Sequence, residues 1–84
     1  SQISDLAKMK KAYSVIQNKN KFSKDDYFKA VMDLRYTYKY SFKDLKKADE
    51  VLSYLDSDSE LKNKAELERL LSGMTEHSVL NDEL

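Results

Sequence analysis

The chain has 84 residues, 15 basic and 15 acidic, with no cysteine, no proline and a single glycine. That length makes one domain near the size where a single core only just suffices, and an apolar content of 40% is too high for a disordered segment. Without cysteine there is no disulfide and no thiolate metal ligand, and with one glycine the tight turns that need positive φ are nearly excluded, so helices are favoured over hairpins.

The charge is unevenly placed. Residues 1–47 carry twelve Lys or Arg against five Asp or Glu, a balance of +7, and residues 48–84 carry the matching −7. Either the halves neutralise each other within the fold, or a basic face is left for an acidic partner or for phosphates.

A first helix is expected from about Ile3 to Gln17, with Leu6, Met9, Tyr13 and Ile16 on one face. "NKNK" at 18–21 should stop it. The second helix has the clearest start. Ser23 and Asp26 form a capping box, with Phe22 and Tyr27 placed as a hydrophobic staple, and the stripe Tyr27, Val31, Leu34, Tyr38 follows.

"RYTYKYSFKDLKK" at 35–47 can be read two ways. Tyr36, Tyr38, Tyr40 and Phe42 alternate, which is a strand period. A lone strand with no turn-linked partner cannot satisfy its backbone, however. The helical reading assigns Tyr38 to the second helix and makes Ser41 the cap of a third, with Asp44 as its return partner and Tyr40 stapled to Leu45. That third helix would run from about Phe42 to Leu55 on Leu45, Ala48, Leu52 and Leu55. Ser57 with Glu60 gives a further start signal, and the fourth helix carries Leu67, Leu70, Leu71 and Met74, with Leu61 and Ala65 to one side. Gly73 is its expected end.

The expected fold is all-α, a single compact three- or four-helix bundle over residues 1–74, followed by an acidic tail at 75–84 that is frayed or starts a fifth helix. No apolar run reaches the roughly 20 residues of a membrane span. No signal-peptide pattern is read at the N-terminus, so a cytoplasmic protein is the expectation. The first residue is Ser and not Met, which leaves a removed leader or an excised domain open.

Catalytic parts are missing. The one histidine, His77, sits in the tail, and one glycine allows neither a P-loop nor a dinucleotide fingerprint. Asp56, Asp58 and Glu60 fit the first ligand positions of a calcium loop, but Leu61 and Leu67 stand where the glycine and the closing glutamate belong. No enzyme activity, cofactor or metal is expected.

The candidate site is the basic, tyrosine-bearing segment formed by Arg35, Tyr36, Lys39, Tyr40, Lys43, Lys46 and Lys47. Its expected use is to bind another protein with an acidic surface, as an adaptor, inhibitor or regulatory subunit, with Tyr36 and Tyr40 lying off the core stripe. The alternative is nucleic-acid binding of low sequence specificity, with bases stacked on the tyrosines. Thirteen lysines to two arginines and a net charge of zero weigh against that. Self-association through the opposite charge halves is a third use.

Overall fold

A computed structural model describes the backbone of residues 2–83 and the side chains of residues 3–72. The chain is all-α, as the capping signals and stripes require. Helix α1 spans Gln2–Gln17, and α2 spans Lys24–Tyr36 after a short 3-10 turn at Lys19–Lys21. Helix α3 covers Leu45–Glu50 and tightens into a 3-10 segment at Val51–Leu55, and α4 covers Ser59–Glu83. The short connection folds α1 back antiparallel to α2. Helix α4 runs in the same direction as α2. Lys24 meets Asp58 at 3.0 Å at one end, Lys64 Nζ lies 4.5 Å above the Phe28 ring in the middle, and the Tyr36 hydroxyl reaches Glu68 at the other end.

Helix α2 is the central element because both of its apolar flanks are covered. Val31 and Leu34 are fully buried, and Tyr27, Phe28, Ala30 and Met32 surround them. Helix α1 adds Ala12 and Ile16, the 3-10 segment adds Val51 and Leu55, and α4 adds Leu61 and Ala65. The predicted α2 start is present: Ser23 Oγ accepts from the Asp26 N–H at 3.1 Å. Tyr27 is buried, and its hydroxyl donates to the Tyr54 carbonyl at 2.7 Å. Burial, and then the neighbouring Tyr54, push the Tyr27 phenol pKa above its usual value.

Four expectations are corrected. First, Ser41 does not start α3. The α2 helix widens into a π turn at Thr37–Ser41, where the Phe42 N–H reaches back to the Thr37 carbonyl at 3.2 Å. Lys43 then adopts φ 55°, so a positive φ occurs without glycine. The Asp44 N–H bonds the Tyr38 carbonyl at 2.9 Å, closing the helix end, and Asp44 Oδ1 caps α3 by accepting from the Lys47 N–H at 3.0 Å. The alternating aromatics resolve into two i,i+4 pairs, Tyr36 with Tyr40 and Tyr38 with Phe42, at centroid distances of 6.2 and 6.4 Å. Residues 36–42 are therefore no strand. Tyr40 and Leu45 are 49% and 61% exposed, so the expected staple buries neither.

Second, α4 is capped by Asp58 and not Ser57, through Oδ1 accepting from the Leu61 N–H at 3.2 Å. Third, α4 turns a different face inward. Leu61 and Ala65 are 3% exposed, while Leu67, Leu70 and Leu71 are more than half exposed. The side chain of Met74 lies outside the described residues. Fourth, α4 continues past Gly73. The side chains of 75–84, His77 included, also lie outside the described residues.

Candidate protein-binding surface

The seven predicted site residues share one region, the C-terminal end of α2, the π turn and the start of α3, but they fall into three environments. Lys43, Lys46 and Lys47 are exposed. Tyr40 is half exposed, and Lys39 Nζ lies 5.2 Å from its ring centroid. Lys47 Nζ stands 5.8 Å from the Tyr38 ring, at the edge of an open cleft of about 360 Å³ that Tyr13, Tyr54 and Glu50 also line. These cation–π contacts hold the ammonium groups over aromatic faces without neutralising them.

Tyr36 is half-buried, and its hydroxyl donates to Glu68 Oε2 at 3.3 Å, which ties the end of α2 to α4. Burial first, and then the Glu68 carboxylate, raise its phenol pKa. The expectation that Tyr36 and Tyr40 both face outward therefore holds for Tyr40 alone. Tyr38 packs against the core, and its hydroxyl meets that of Tyr13 at 2.8 Å. Burial and this hydroxyl pair raise the Tyr13 phenol pKa strongly.

Arg35 is inside the fold at 4% exposure, not on the surface. Its Nε and Nη1 are buried with no hydrogen-bond partner, and Cζ lies 5.6 Å from the Tyr36 ring centroid. A buried unsatisfied donor costs about 1–3 kcal/mol, more when charged. The burial was legible in the spacing. Arg35 stands four residues after Val31 and one after Leu34, on the flank of the same stripe, but its charge suggested a surface position.

The ion pairs show where the two charge halves meet. Lys24 meets Asp58 at 3.0 Å and Glu60 at 3.3 Å, joining the basic and acidic halves. These carboxylates raise the Lys24 pKa, and Lys24, with the Leu61 N–H, lowers that of Asp58. Asp56 lies 3.9 Å from Lys62, and Glu66 pairs with Arg69 within α4. Lys43, Lys46 and Lys47 make no ion pair among the described residues. The carboxylates weighed for a calcium loop are thus engaged with lysines and a helix cap. Among the described residues no group of three or more His, Cys, Asp or Glu is placed to hold a metal ion.

Two further surfaces were missed from the sequence. A groove of about 570 Å³ runs between α1 and α2, with Ala12, Val15, Phe22 and Ala30 along it and Lys8 and Lys11 on one side. The outer face of α4 carries the exposed leucines. Among the described residues no helix is long and apolar enough to cross a membrane. No family model, curated protein or solved structure matches the chain.

Proposed function

We propose that this protein is a non-enzymatic protein-binding module whose contact surface is the lysine-rich end of α2 and start of α3, and whose partner is a protein with an acidic surface. The observation that carries this reading is the set of exposed lysines at 43, 46 and 47, which make no ion pair among the described residues, beside the half-exposed Tyr40. Cations that make no ion pair among the described residues favour an external counter-charge, and a tyrosine among them supplies apolar contact area with little conformational entropy to lose.

The rival use, stacking of nucleic-acid bases, is weakened by the same geometry. Tyr36 is half-buried and bonded to Glu68, so of the two rings Tyr40 is the exposed one. The test is capture from a lysate of the source cell, with and without nuclease, by the wild type and by the K43E/K47E variant. A protein retained by the wild type after nuclease, and lost by the folded variant, supports the reading. Retention by both would remove this surface as the site.

A further inference from the structure

The described ion pairs of this domain lie at its periphery, where they contribute little. The one buried cation among the described residues, Arg35, has no ion pair there. At 4% exposure its Nε and Nη1 donors are buried without an acceptor. A guanidinium is a permanent cation, and a buried charge with no counter-charge works against the folded state. The negative end of the α2 dipole offsets part of this, since Arg35 lies in the last turn of that helix. Glu68, which comes close enough to hydrogen bond Tyr36, is engaged by the Tyr36 hydroxyl. Polar groups held against stability cluster where a protein binds something.

We propose that Arg35 anchors a carboxylate-binding site, and that an acidic side chain of the protein partner enters beside Tyr36 to accept from its unpaired N–H groups. This deepens, and rests on, the reading of the lysine surface as an acidic-protein site. Tyr36 is the gate. Its ring lies against the guanidinium, and its bond to Glu68, at 3.3 Å, is at the long end of the range. A carboxylate fits better than a phosphate because it carries a single charge to match a single buried cation, whereas a phosphate brings up to two. Lysines 43, 46 and 47 would steer the partner, and Arg35 would hold it.

The test follows the Arg35 side-chain Nε–Hε cross-peak in the full chain by ¹⁵N NMR, titrated separately with a short polyglutamate peptide and with inorganic phosphate. The expected result is a saturable shift with the peptide and none with phosphate. In R35M the melting temperature should rise while affinity for the peptide falls at least tenfold, and R35K should also lose affinity because one ammonium cannot replace the guanidinium fork. An unmoved cross-peak overturns the proposal, as does an R35M melting temperature below that of the wild type. An equal response to phosphate overturns the carboxylate assignment. If the amides of residues 43–47 shift while Nε does not, Arg35 is no anchor but the surface reading stands. If neither shifts, both fall.

Discussion

Helix α4 offers two apolar faces, and the structure commits one of them to the core. Leu61 is 3% exposed within the central cluster, whereas Leu70 is 56% exposed. Leu61→Ala should therefore lose both the transfer free energy of a buried side chain and the packing around the cavity left behind, about 2–5 kcal/mol. Leu70→Ala removes atoms already in water and trades one good helix former for another, so its cost should stay within about 0.5 kcal/mol. For a domain of this size each kcal/mol moves the melting temperature by roughly 4–8 °C. The gap between the two variants should thus be at least about 6 °C, and L61A should remove a substantial share of a total stability of about 5–15 kcal/mol. Urea denaturation followed by circular dichroism, alongside thermal melts, reads both values. If L70A proves the more damaging, α4 is rotated the other way, and the Tyr36–Glu68 contact that depends on its present facing is lost with it.

Other expectations concern the helix junctions and pH. Lys43→Gly should stabilise by about 0.5–1 kcal/mol, because glycine adopts the observed φ of 55° without a Cβ penalty; a loss of stability in the denaturation midpoint would mean the left-handed residue is absent. Asp44→Ala should cost about 1 kcal/mol for the lost α3 cap, whereas Ser41→Ala should be close to neutral; equal effects in the same assay would restore Ser41 as the cap. Asp58 has a lowered pKa in the folded state, so its contribution is present above the unfolded value near 4 and is lost as pH falls through the folded one. Asp58→Asn should flatten the acid limb of a stability–pH curve. The phenols of Tyr13, Tyr27 and Tyr36 are raised, so their contribution is present below the unfolded value of about 10 and fades as pH rises above it. Alkaline melts with absorbance detection of tyrosinate should show unfolding and ionisation together, and free titration of all six tyrosines near pH 10 in a folded protein would contradict this.

The all-α fold and the central helix were legible because α2 carries both a cap and an uninterrupted stripe. Ser23 and the Tyr27, Val31, Leu34 series agree with each other, and tertiary packing had nothing to override. The junctions were harder. Ser41 and Ser57 match the capping pattern, yet Asp44 and Asp58, three and one residues further on, do the capping. The π turn adds length to α2 that no periodicity shows, so the start of α3 moves downstream. The face of α4 was misread because Leu67, Leu70, Leu71 and Met74 form the stronger apolar stripe, while α2 selects the weaker one with Leu61 and the small Ala65. Close approach of α4 to the central cluster favours a small side chain such as Ala65, and a stripe counted by hydrophobicity cannot register that. Within the candidate site, the exposed lysines and Tyr40 were placed correctly on the surface. Tyr36 was not, since its position depends on Glu68 of α4, which is set by tertiary contact; Arg35 was not either, because its charge outweighed a spacing that already put it beside the buried stripe.

The proposed use of the lysine surface is tested most directly by the affinity of the captured protein partner for the wild type and for K43E/K47E, each measured across a salt series. The expected result is a loss of at least tenfold on charge reversal in a variant with an unchanged melting curve, together with a shallow dependence of log affinity on log salt. An affinity untouched by the reversal would remove these lysines from the interface and contradict the account.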